Sequence, residues 1–140
     1  AKPATVAAPV HASTPRRARA PRILLVEDDP GVRDATRMLL TVEGYQVITA
    51  ASLTEATDKA KASPDIDLLV TDYHLGKSGT GSQVIEQVRA IAGASLGAIL
   101  ISGDTSSTVR GLGTDPRLRI ASKPIDAEEL LRLVDGLLLH

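Results

Sequence analysis

At four places in this chain a reactive side chain stands directly after an aliphatic run. ILLVEDDPGVR (residues 23–33) runs into Glu27, Asp28 and Asp29, IDLLVTD (66–72) ends on Asp72, GAILIS (97–102) ends on Ser102, and RLRIAS (117–122) is followed by Lys123. Adjacent acids are costly: two carboxylates about 4 Å apart repel by roughly 4 kcal/mol at an effective dielectric of 20. Either water screens them or something positive sits among them. Gathered together, Glu27, Asp28 and Asp72 make an oxygen-rich cage for a hard divalent cation. Mg2+ is the natural occupant, since it accepts few carboxylates and keeps several waters. Asp29 suits a helix cap better than the cage. Taken singly, each residue also fits a plainer role: Asp28 a second cap, Asp72 a solvated strand-end acid, Ser102 a turn hydroxyl, Lys123 a surface lysine before a proline.

The elements that would gather these groups follow from the apolar pattern. RILLV (22–26) is short, aliphatic and unbroken, as a strand covered on both faces is. Asp29 caps the next helix, Pro30 suits its first position, and Gly44 stops it. Val32, Ala35, Thr36, Leu39 and Val42 recur along it at helical spacing. YQVIT (45–49) is a second strand. Ser52 and Glu55 form a capping box for a helix through about Ala62, which Ser63-Pro64 ends. IDLLVTD is a third strand and GKSGTG (76–81) a flexible loop. Val84, Ile85, Val88 and Ile91 mark a helix over 81–92, and GAILIS is a fourth strand. DTSSTVRGLG (104–113) reads as a short weak helix. RLRIAS is a fifth strand that alternates apolar with basic, and Asp126 caps a last helix with Leu130, Leu131, Val134, Leu137 and Leu138 inward. Alternating strands and helices with short connections imply a parallel sheet covered on both faces, with chemistry at the carboxyl ends of the strands.

LLVEDDPGVR, LLVTDYHLG, ILISGD and ASKPI, in this order and on these strands, resemble the motifs of two-component response-regulator receiver domains over about residues 22–139. The resemblance implies a flavodoxin-like (βα)5 doubly wound α/β fold, five parallel strands in the order 2-1-3-4-5. It implies that Asp72 takes a phosphoryl group from a kinase phosphohistidine. Glu27 and Asp28 then match the acidic pair that holds Mg2+, with Asp28 the direct ligand and Glu27 acting through water. His74 matches the position whose backbone carbonyl ligates the metal, Ser102 the switch hydroxyl and Lys123 the phosphoryl-pairing lysine, with the Lys123–Pro124 peptide cis. The chemistry is coherent, because Mg2+ and Lys123 neutralise the incoming phosphoryl and positioning does most of the rest. The chain departs from the family at Ile120, where Tyr or Phe is usual, at Gly103, commonly Ala, and in GKSGTG, where a proline often sits. His74 and Asp104 take the positions that flank the phosphoryl.

Composition sets the context. Residues 1–22 carry five basic residues and no acid, against 11 basic and 17 acidic residues in the rest. Residues 1–21, rich in Ala, Pro and Arg, read as a flexible linker or tail, and 22–140 as the receiver domain. The chain has no cysteine, hence neither disulfide nor thiolate metal site, and a cytoplasmic setting is expected. With no apolar run of membrane-spanning length, no membrane insertion is expected, nor direct nucleic-acid binding. The start without Met suggests an excised or processed form, and no output domain is expected after the last helix. The favoured context is the C-terminal receiver of a hybrid sensor histidine kinase; the alternatives are a stand-alone regulator and a phosphorylation-independent binding module. The expected partner is a phosphohistidine-bearing kinase or phosphotransfer domain docking on the first helix and the loops around Asp72, and a homodimer is left open. A haloacid-dehalogenase-like phosphatase would need an acid where His74 stands, and a P-loop around GKS would need glycine at Thr71.

Overall fold

The computed structural model describes residues 20–103 and 115–138. Among them the chain runs β1 (Arg22–Val26), α1 (Pro30–Val42), β2 (Gln46–Ala50), α2 (Leu53–Ala62), β3 (Leu68–Asp72), a 3-10 turn (Gly76–Ser78), α3 (Gly81–Ala92), β4 (Gly97–Ser102), β5 (Leu118–Ser122) and α4 (Ala127–Leu138). All strand pairs are parallel and the order is β2-β1-β3-β4-β5, the α/β receiver topology expected. Side chains alternate across a strand, so each central strand feeds two cores. Ile23, Leu25, Leu68, Val70 and Ile99 meet Leu40 of α1 and Leu130, Val134 and Leu137 of α4 on one face. Leu24, Val26, Leu69, Ala98 and Leu100 meet Ala56, Ala60, Val84 and Val88 of α2 and α3 on the other. Each fully buried large aliphatic side chain contributes about 1.5–3 kcal/mol through its removal from water. That double burial is why the strands read as unbroken aliphatic runs.

Helix starts follow local chemistry. Asp29 accepts hydrogen bonds from the Gly31 and Val32 N–H groups, with Pro30 at the first position. Asp126 accepts from Glu129 N–H at the start of α4. Ser52 caps α2 by accepting from Glu55 N–H, but the Glu55 carboxylate reaches the Ala51 N–H, one residue before the donor a capping box would use. Strands β2, β3 and β5 each begin one or two residues later than their apolar runs suggest. At the start of β3, for example, the Asp67 carboxylate accepts the Arg22 N–H while the Asp67 N–H donates to Arg22 O, just ahead of the first paired residue, Leu68. The periodic stripe of α1 is only partly inward: Leu40 is its buried residue, while Val32 and Val42 are 48% and 80% exposed. GKSGTG is ordered into the 3-10 turn and the start of α3, where Thr80 and Gln83 form a reciprocal capping box. The expected helix over 104–113, Asp104, and residues 1–19 of the leader lie outside the described residues. Pro21 is already tied in, its carbonyl accepting Gln46 N–H.

Candidate functional site

Strand register brings the reactive residues to one edge of the sheet. Val26 pairs with Thr71, so the next residues, Glu27 and Asp72, stand abreast at the carboxyl ends of β1 and β3. Asp72 pairs with Ile101 and Ser102 with Ser122, which places Ser102 and Lys123 one step further along the same edge. Carboxylate oxygens of Glu27, Asp28 and Asp72 all lie within 4.8 Å of one another. Lys123 Nζ lies 2.9 Å from Asp72 Oδ1. Glu27, Asp72 and Ser102 are buried, whereas Asp28 is exposed. His74 is also exposed, its ring edge-on to Tyr73, and its imidazole is not part of the acid cluster.

Backbone bonds fix these groups. The Glu27 N–H donates to Ala50 O, and the Glu27 carboxylate accepts the Asp29 N–H at 3.2 Å. Arg33 Nη1 donates to the Glu27 carbonyl at 2.9 Å. After Asp72 the chain doubles back. Tyr73 N–H donates to Ile101 O, His74 bridges antiparallel to Thr80, and Gly81 N–H donates to Tyr73 O at 2.7 Å. Gly76, at φ +61°, lies against the Asp28 carboxylate. Lys123 N–H donates to Ser102 O, and the Lys123–Pro124 peptide is cis. Arg33 and Gly81 are the positions that sequence reasoning passed over. A cation in a first helical turn and a glycine closing a glycine-rich string were the signals available.

The charges of the cluster perturb one another. Burial lifts the Glu27 carboxyl to about 7; the Asp29 N–H works against that, the Asp72 charge adds to it and Lys123 opposes it. Leu25, Val26, Val70, Ile101 and Leu130 line the cavity beside Glu27 and Asp72, so its walls offer these two acids few polar partners. Burial also disfavours the Lys123 ammonium, but its bond to Asp72 and the charges of Asp72, Glu27 and Asp28 outweigh this and hold it above its ordinary value. Three carboxylates thus face one ammonium, in an all-oxygen donor set that fits a small hard cation such as Mg2+. The metal-free domain should pay for this. A carboxyl whose folded pKa is raised from 4.5 to about 7 contributes its stability below pH 4.5 and loses it as pH rises through 7. Urea denaturation in chelator is expected to show a loss on the order of 2 kcal/mol across that window. Glu27→Gln should abolish the slope, and an equal slope in that variant would place its origin elsewhere.

Residues 23–135 match the family model described as the response regulator receiver domain. Response regulator MprA of Mycobacterium avium is 35% identical over 118 residues, covering 84% of this chain and 50% of MprA. Among solved structures, a response regulator receiver protein from Sinorhizobium medicae superposes with a TM-score of 0.78 at 28% identity, covering 87% of this chain and 97% of its own. The receiver domain of the hybrid histidine kinase CckA does so with a TM-score of 0.71 at 30% identity, covering 84% and 98%. The chain spans between about a quarter and a half of the length of the curated relatives it matches. No helix among the described residues is long and apolar enough to cross a membrane. Taken with the strand order, the edge-aligned acids and the lysine, the match over 23–135 leads to one conclusion: this chain belongs to the response regulator receiver domain family of two-component systems.

Proposed function

We propose that Asp72 accepts a phosphoryl group from the phosphohistidine of a kinase or phosphotransfer partner and that phospho-Asp72 switches the surface of the domain. The observation that carries this is the pairing of a buried Asp72 with Lys123 on one side and with Glu27 and Asp28 on the other. One Asp72 oxygen forms the new O–P bond while the P–N bond of the donor breaks. The electron pair stays on the imidazole, which takes up a proton. Lys123 neutralises the transferring phosphoryl, and Ser102 offers it a hydroxyl from the neighbouring strand end. Glu27, Asp28 and Asp72, with the His74 carbonyl, would hold Mg2+. Bound there, the ion supplies Lewis-acid stabilisation of the phosphoryl oxygens.

The partner is a helical bundle that docks on α1, where Val32 presents apolar surface beside the site and Met38 and Val42 continue it toward the far end of the helix. A cytoplasmic setting belongs to the same reading. For the parent protein, the likeness to the CckA receiver supports a hybrid histidine kinase, and the likeness to MprA supports a response regulator instead. The experiment on the domain itself is incubation with acetyl phosphate and Mg2+, followed by intact mass. A gain of one phosphoryl that chelator prevents is expected. A mass unchanged with Mg2+ present would overturn the reading.

A further inference from the structure

We propose that Arg33 is a positioning residue for the acid pair, acting through the peptide that joins its two members. This rests on the reading of Glu27 and Asp28 as cation ligands. The carbonyl that Arg33 Nη1 holds at 2.9 Å belongs to the Glu27–Asp28 peptide unit. Because that unit is planar, pinning its oxygen fixes ψ of Glu27 and φ of Asp28 together, and so the angle between the two carboxylates. The Glu27 N–H donates to Ala50 O and the Glu27 carboxylate accepts the Asp29 N–H, but neither bond holds the oxygen of the Glu27–Asp28 peptide. Pro30 brings no N–H, and the Asp29 side chain is committed to the Gly31 and Val32 N–H groups. A cation in a first helical turn opposes the helix dipole, while the acids at 27–29 act the other way. The Arg33 guanidinium reaches back six residues to make one specific bond.

Charge and position make opposite demands on a variant. As a charge alone, Arg33 competes with a metal ion for the carboxylates, so its removal would tighten binding. As a positioning residue it preorganises the ligands, so its removal weakens binding. The experiment is calorimetric titration of Mg2+ into the whole chain without phosphodonor. Arg33→Ala is expected to lower the affinity about tenfold, the scale on which groups that orient metal ligands act. Arg33→Lys, which keeps the charge and one donor, should recover part of it. Thr41→Gly, which weakens α1 at its far end, should bind as wild type, separating loss of helix stability from loss of the turn. Equal or tighter binding by Arg33→Ala overturns the role given to Arg33 and leaves the cation reading standing, and if Arg33→Ala does not fold, an Arg33→Met chain, which keeps the aliphatic stem and loses every donor, does the same by binding as wild type. A wild-type chain that binds no Mg2+ overturns both.

Discussion

Asp72→Asn is expected to take up no phosphoryl group from acetyl phosphate, a fall of at least about 10³-fold in rate, or about 4 kcal/mol of barrier. The substitution keeps the shape of the side chain and removes its charge. An amide oxygen is a far weaker nucleophile than a carboxylate oxygen, and Lys123, 2.9 Å from Asp72 Oδ1, is left facing a neutral group. Because Asp72 is 5% exposed and ends a fully buried strand, the control is the fold: thermal melting of the variant should remain a single cooperative transition. Intact mass against time, for both chains with Mg2+ present, is the measurement. Label that persists in the Asn chain would mean that a different residue is the acceptor. Glu27 and Asp28 are the carboxylates beside it, and peptide mapping would tell them apart.

The strand-end chemistry was legible because a strand buried on both faces must be aliphatic, so a reactive residue ending such a run announces its own position. β1 and β4 could be bounded from sequence for that reason, and the Asp29 and Asp126 caps because a short acid before a helix has one obvious use. Where burial depends on which neighbour covers a surface, sequence was silent. The spacing of Val32, Leu39 and Val42 places them near one another on a helix, but α1 rests on the sheet through Leu40 and leaves Val32 and Val42 facing outward. GKSGTG reads as flexible because glycine is permissive, yet Gly76 and Gly79 take up left-handed turns and Thr80 caps α3 through Gln83. Arg33 was equally hidden. Its partner is a backbone carbonyl, and side-chain patterns do not report backbone acceptors.

Gly81 was the least legible position, and changing it should have the largest effect on stability. A Cβ there would stand 2.5 Å from the Asp72 carbonyl oxygen, 2.5 Å from Leu100 Cδ1 and 3.1 Å from Tyr73 Cα. Leu100 is a fully buried core side chain with little room to retreat, and the other two atoms are backbone. Gly81→Ala therefore cannot be absorbed by a rotamer change; the start of α3 and the end of β3 must separate. An overpacked site of this kind costs about 3 kcal/mol, which a urea midpoint with unchanged slope would report. The same shift would break or stretch the 2.7 Å bond from Gly81 N–H to Tyr73 O and move the backbone that carries Asp72. Phosphoryl uptake from acetyl phosphate is expected to fall by up to about 10²-fold even in chains that remain folded, because a displacement near 1 Å is enough to spoil attack geometry. Adding Leu100→Ala relieves one of the three contacts and leaves both backbone ones. It should recover little uptake, because the Asp72 carbonyl is still displaced. Full recovery in the double variant would mean that the side-chain clash alone mattered and that α3 does not position the acceptor.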